Sequence, residues 1–263
     1  MNLGTNAIPP GLISALRKAK HVVVFTGAGV SAESGIPTFR DPFTGLWERF
    51  DVKDLTTPAA FRADKELVWG WHEWLRMKVR RAAPNPAHKA IAALARHVPQ
   101  LTVITQNVDD LHERAGSAEV VHLHGSLNAP RCFACNRPHD SVPTLADEPE
   151  GGRRLRPPQC SHCGGFVRPG VVWFQERLPE RQFQLAISAA KDCDVLLSIG
   201  TSGLVQPAAQ IPLHAKHAWA STVQINPTVT ELEGEFDWAL RGFAGEIMPR
   251  LLREAFPETA LTL

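Results

Sequence analysis

His21-Val22-Val23-Val24-Phe25-Thr26-Gly27-Ala28-Gly29-Val30-Ser31-Ala32 is the stretch on which the fold turns. The run from His21 to Phe25 has the character of a parallel strand buried on both faces. It passes directly into Gly27-Ala28-Gly29-Val30-Ser31-Ala32, which matches the pattern G-x-G-x-x-(G/A). Glycines at such a turn let backbone N–H groups approach a pyrophosphate closely. Taken alone, the same turn serves equally well as a plain structural connection.

The alternation continues on both sides of this stretch. Gly11 to Lys20 carries Leu12, Ile13, Leu16 and Ala19 at helical spacing. Ala87 to His97 is helix-like, Leu101 to Ile104 strand-like, and Gln106-Asn107-Val108-Asp109 closes that strand. Phe183 to Lys191 predicts a helix, Asp194 to Ile199 a strand, and Gly200-Thr201-Ser202-Gly203 its turn. Ser221 to Ile225 is a further strand, ending at Asn226-Pro227. Strands alternating with helices predict an α/β fold with a Rossmann-like parallel sheet. Ligands of such sheets sit beyond the carboxyl ends of the strands, where every polar cluster just named falls.

Two stretches break the alternation. Asp41 to Ala83 is tryptophan-rich and reads as mostly helical, a module placed at 42–83. Gly125 to Gln175 contains four cysteines and an aperiodic Pro/Gly/Arg-rich loop from Val142 to Gln159, a module placed at 126–175. Both read as smaller units inserted into the sheet domain.

Cys132-Phe133-Ala134-Cys135 and Cys160-Ser161-His162-Cys163 are two CxxC pairs in one loop-rich module. Four thiolates so arranged suit a closed tetrahedral zinc site with no open position for chemistry, in preference to a redox CxxC. Cys193 reads as a buried core thiol. His122 and His124 lie two apart, which on a strand puts them on the same side. They read as core histidines, additional zinc ligands or the source of a catalytic histidine.

Composition narrows the function further. A formal net charge of +1 gives no broad footprint for nucleic acid or acidic lipid. No apolar run approaches the ~20 residues that cross a bilayer. The opening residues lack the charged and apolar regions of a secretory signal, so a cytoplasmic protein is expected. A hydride-transferring dehydrogenase would run from its glycine turn through a helix and a second strand to an acidic ribose-binding residue. Here Gly35-Ile36-Pro37-Thr38-Phe39-Arg40-Asp41 follows at once and reads as a loop.

Together these motifs resemble the sirtuin family of NAD-dependent protein deacylases. The resemblance rests on Gly27 to Arg40, Thr105-Gln106-Asn107-Val108-Asp109, His122-Leu123-His124-Gly125 and the two CxxC pairs. Arg168-Pro169-Gly170-Val171-Val172-Trp173-Phe174, Gly200-Thr201-Ser202 and Ile225-Asn226 complete the set in the family's order. It implies removal of acyl groups, acetyl first among them, from protein lysines. NAD is consumed in that reaction to give nicotinamide and O-acyl-ADP-ribose, and one structural zinc is held. Protein mono-ADP-ribosylation is the alternative activity.

Residue by residue, the resemblance implies that Gly27, Ala28, Gly29, Ser31, Ile36, Phe39 and Arg40 bind NAD near its phosphates and nicotinamide ribose. Gln106, Asn107 and Asp109 match positions for the ribose and carboxamide. Gly200, Thr201, Ser202, Asn226 and Ala244 match the adenosine half. His124 matches the general base, with Asn107 beside it in catalysis. Val172, Phe174 and Val205 match the borders of a groove that takes the acylated peptide as an extra strand.

Two departures stand out. Gln175 occupies a place where the family usually has glycine. Relatives that accept acidic acyl chains carry Tyr-x-x-Arg ahead of a motif that here reads Pro84-Asn85-Pro86-Ala87-His88. This chain has His72 for the tyrosine, Leu75 for the arginine and Arg76 one residue late, and it contains no tyrosine anywhere. If His72 and Arg76 both face the acyl group, activity on succinyl-lysine relative to acetyl-lysine rises as pH falls toward about 6. If Leu75 faces it instead, the site is apolar and no such trend exists.

Overall fold

A computed structural model describes residues 7–38, 48–139, 149 and 151–258. Its centre is β1 (His21–Thr26), all six residues of which are buried. β2 (Gln100–Thr105) lies parallel to one side of it and β6 (Val195–Ile199) parallel to the other. β3 (Val120–His122), β7 (Ser221–Asn226) and β8 (Trp238–Arg241) extend the sheet to the order β3-β2-β1-β6-β7-β8. The chain reverses direction across the sheet at β1, which opens a crevice at the strand ends there.

The period of two along β1 sorts its side chains onto two cores. Val22 and Val24 join the cluster of α1 (Pro10–Lys18), α6 (Pro86–Leu94) and α10 (Ala244–Ala255). Val23 and Phe25 join that of α8 (Glu180–Asp192) and α9 (Ile211–His217). The doubly covered parallel sheet predicted from the sequence is therefore present, and β8 and the helical character of α10 add to it.

A third apolar cluster lies outside the sheet. α3 (Val52–Leu55), α4 (Pro58–Ala63) and α5 (Lys65–Arg81) supply Leu55, Phe61, Leu67, Trp71 and Trp74 to it. β4 (Gly125–Cys132) and β5 (Val167–Val171), an antiparallel pair, bring Leu127 and Val171. α5 starts where the Asp64 carboxylate accepts from the Leu67 N–H, an N-cap that satisfies one of the helix's free donors. Among the described residues, no helix is long and apolar enough to cross a membrane.

Candidate active site

Three turns meet at the carboxyl ends of β1, β6 and β7. Gly27 N–H donates to Ile199 O, Gly29 N–H to Gly200 O at 2.8 Å, and Gly200 N–H to Ile225 O. A Cβ on Gly29 would stand 2.7 Å from Gly200 O, and one on Gly200 would stand 2.4 Å from Val30 N. Only glycine lets the two backbones meet. The short α2 (Gly29–Ala32) follows. It is held by Asn85, whose amide donates to Val30 O at 2.7 Å while its carbonyl oxygen caps α6.

These turns form one wall of a cavity of about 480 Å³, within the range usual for small-molecule sites. The opposite wall comes from α5 and the segment after β5. Gly27, Ala28, Gly29, Ser31 and Ile36 line the cavity, as do Gln106, Asn107 and Asp109 from the loop after β2. Gly200, Thr201, Ser202 and Asn226 line it on the β6–β7 side; His124, Val172, Phe174, Val205 and His72 border its other end. Ala244, buried at the start of α10, does not line it. Phe39 and Arg40 lie outside the described residues.

The polar wall is laced together. Gln106 donates to Thr201 Oγ1 at 2.9 Å, and Asn226 to Thr201 O at 2.8 Å. Ser31 donates to Asp109 at 2.9 Å and accepts from the Asn107 amide at 3.1 Å. Asn107 Oδ1 is then a buried acceptor with no protein partner. Such an atom is costly unless a ligand hydroxyl or amide meets it. With the glycine cradle beside it, this wall fits a dinucleotide's ribose and carboxamide groups. Behind it, His88 and His112 pack ring to ring at 4.9 Å. Burial lowers their pKa to about 3 and about 4, so both are neutral. Sequence reasoning assigned them no place in the site, because buried histidines carry no spacing signature.

His124 sits in the turn between β3 and β4, not on a strand. The expectation that His122 and His124 share one side of a strand is therefore corrected: β3 ends at His122, and the turn aims the two rings separately. His124 Nδ1 lies 2.9 Å from Gln106 O, so it carries the proton and donates. Nε2 is left with its lone pair and has no protein partner among the described residues. Burial lowers the pKa below 6.5, against the pull of the Gln106 carbonyl.

On the apolar wall His72 is 2% exposed. Its Nδ1 donates to Val68 O at 2.8 Å, and its Nε2 accepts from the Trp173 indole N–H at 3.2 Å. Burial, aided by the charge of Arg168, lowers its pKa to about 3. Both nitrogens are occupied and the ring stays neutral, which corrects the expectation that His72 becomes charged near pH 6.5. Arg76 does not line the cavity, and its guanidinium pairs with Glu73; Leu75 lines the wall in its place. Trp173, whose ring covers the Arg168 guanidinium at 3.5 Å, closes the wall. Arg168 is paired in turn with Glu176.

Gln175, at the cavity edge, has φ 71°. A side chain in this left-handed region costs roughly 1–2 kcal/mol, and glycine there costs roughly 0.5–1 kcal/mol in unfolded-state entropy. Gln175→Gly is therefore expected to raise Tm by about 1–4 °C, read by calorimetry. A lower Tm would show that the Gln175 side chain stabilises the edge by more than its backbone costs.

Away from the cavity the four cysteine sulfurs converge, all within 4.8 Å of one another. Cys132 and Cys163 sulfurs are 3.5 Å apart, and those of Cys135 and Cys160 3.9 Å. Four Zn–S bonds of tetrahedral geometry place sulfurs about 3.8 Å apart. The four residues thus fit one closed zinc site.

Comparison with known proteins agrees with this geometry. Residues 27–207 match the Sir2 family. The chain is 59% identical over 242 residues to an NAD-dependent protein deacylase of Methylococcus capsulatus, covering 92% of this chain and 95% of that protein. It is 57% identical over 247 residues to NAD-dependent protein deacylase 1 of Pseudomonas aeruginosa, covering 94% and 98%. Among solved structures, a Sir2 homologue–NAD complex superimposes with a TM-score of 0.86 at 44% identity, covering 96% of this chain and 95% of that one. A Sir2 protein bound to a myristoylated histone peptide does so with a TM-score of 0.72 at 34% identity, covering 93% and 94%. The chain belongs to the Sir2 family.

Proposed function

We propose that this chain removes acyl groups from protein lysine side chains at the expense of NAD. The observation that carries the proposal is His124, with Nδ1–H committed to Gln106 O and Nε2 unprotonated, on the cavity that the glycine cradle also lines. When bound, NAD would supply an electrophilic ribose carbon, nicotinamide as leaving group and an ADP-ribose hydroxyl to accept the acyl group. Gly27, Ala28, Gly29, Ser31 and Ile36 hold its phosphate and ribose region, and Gly200, Thr201, Ser202 and Asn226 its adenosine half. Asn107 Oδ1 and Asp109 meet the nicotinamide side. The apolar wall excludes water, which would otherwise capture the activated sugar. His124 Nε2 takes the proton from the attacking hydroxyl, a role suited to a base that is neutral at pH 7.

Val172, Phe174 and Val205 border the groove for the acylated peptide. Mass spectrometry of the chain with NAD and an acetylated peptide separates the readings. Free lysine supports deacylation, ADP-ribosylated protein supports the transferase alternative, and neither product sinks both. The module bounds 42–83 and 126–175 belong to the same proposal, supported by the separate apolar cluster that α3–α5 share with β4–β5. So does a cytoplasmic setting, in keeping with cysteines grouped as metal ligands and not as disulfide partners.

The proposal extends to acyl choice. Among the described residues the lining holds no lysine or arginine, while Trp71, Trp74, Leu75 and Val79 make an apolar wall. A buried carboxylate without a partner costs several kcal/mol, so the site favours uncharged acyl chains. The kcat/KM for succinyl-lysine is expected to be about 100-fold or more below that for acetyl-lysine, equivalent to about 2.7 kcal/mol. The ratio should stay flat from pH 8 to pH 6, because His72 cannot charge there. A ratio that climbs as pH falls would restore His72 as a charged acyl contact.

A further inference from the structure

Three consecutive carbonyls of the loop after β2 are held from outside the loop. Gln106 O accepts from His124, Asn107 O lies 3.1 Å from His122 Nδ1, and Val108 O accepts from the Leu127 N–H. The middle anchor differs from the other two. His122 Nε2 lies 2.6 Å from the Glu113 carboxylate on α7 (Leu111–Arg114). A carbonyl and a carboxylate are both acceptors, and a neutral imidazole has only one N–H. Only the imidazolium donates to both at once. The loop it holds carries Asn107, whose Nδ2 donates to Ser31 and whose Oδ1 is the unpartnered acceptor of the cavity wall.

We propose that His122, held as an imidazolium between Asn107 O and Glu113, is a positioning residue that sets the aim of the Asn107 amide toward NAD. This rests on the NAD-consuming reading above. Loss of one proton forces His122 to release either Asn107 or Glu113. Glu113 and His112 on α7 and Asp109 on the loop are the titratable groups it interacts with. Burial opposes its charge, but the Glu113 bond and charge, the Asn107 carbonyl and Asp109 outweigh it, and the pKa rises above 6.5. Glu113 lies below its ordinary value despite burial, so the shared proton rests on the histidine.

The two histidines therefore titrate in opposite directions with opposite needs. His124 must be neutral, so activity falls as pH drops through its lowered pKa. His122 must be charged, so activity falls as pH rises through its raised pKa. One turn of the chain sets both limbs of the pH profile.

The test is the pH profile of kcat/KM for NAD in the parent and in Glu113→Gln, which keeps an acceptor for Nε2–H but removes the charge. The alkaline limb should move at least one pH unit lower. KM for NAD at pH 7.5 should rise about 3–10-fold, with KM for the acyl peptide unchanged within twofold. An alkaline limb that stays in place would overturn the proposal. Should the variant fold poorly, NMR titration of the parent's His122 ring decides: both nitrogens protonated at pH 6.5 supports it, a single proton refutes it. A parent that turns over no acyl peptide defeats the functional reading instead, since the NMR titration stands apart from turnover.

Discussion

His124→Ala should lower kcat by ~10²–10⁴, the usual contribution of a positioned general base, while leaving NAD affinity within a few-fold of the parent. The second half of this expectation follows from how the neighbouring loop is held. Gln106 loses the His124 contact but keeps its side-chain bond to Thr201, and its N–H still donates to Thr26 O. Single-turnover kinetics and calorimetric titration with NAD measure the two quantities separately. The acid limb of the pH profile should vanish with the side chain. Turnover near the parent rate would remove His124 from the chemistry; weakened NAD binding with normal turnover would make it a structural residue of the loop.

The other large effect is expected at the cysteine cluster. Cys132 ends β4, and Cys160 and Cys163 lie in the segment that leads into β5. Zinc binding to such a site is folding free energy, with apparent values of ~10–16 kcal/mol in small zinc domains. Cys132→Ser or Cys160→Ser should lose one equivalent of zinc per chain and lower Tm by ~10 °C or more, as a loss of several kcal/mol requires. Activity should fall with it, because β5 runs directly into Trp173 of the acyl wall and Phe133 and Phe166 brace the same cluster. Metal analysis and calorimetry on the same sample check this. A zinc-free variant with parental Tm would show that the four thiols close no site.

What the sequence disclosed followed the range of its signals. The strand from His21 and its glycine turn were readable because burial on both faces and a tight turn each impose a local residue pattern. The same holds for the CxxC pairs, whose short spacing survives in any fold. His122 and His124 were harder. Period two is a strand rule, and the strand stops at His122, so a turn decided where each ring went. At α5, helical spacing put His72, Leu75 and Arg76 close together. The choice among them came from Glu73, which holds Arg76, and from Trp173, which is distant in sequence yet donates to His72. Trp173 was legible only as a member of the Arg168–Phe174 motif; its task is visible only with Arg168 beneath it and His72 beside it.

The contact between the glycine turns after β1 and β6 has a consequence for how such a protein can change. Where backbone meets backbone at Gly29 and Gly200, no side chain intervenes that substitution could lengthen or trim. That jaw of the cleft has a fixed gauge. The facing jaw is built from the tips of Trp71, His72, Leu75 and Trp173, so single replacements alter its depth and polarity without moving the sheet. Substrate range can therefore drift, or be engineered, by repainting one jaw while the other keeps the dinucleotide in register.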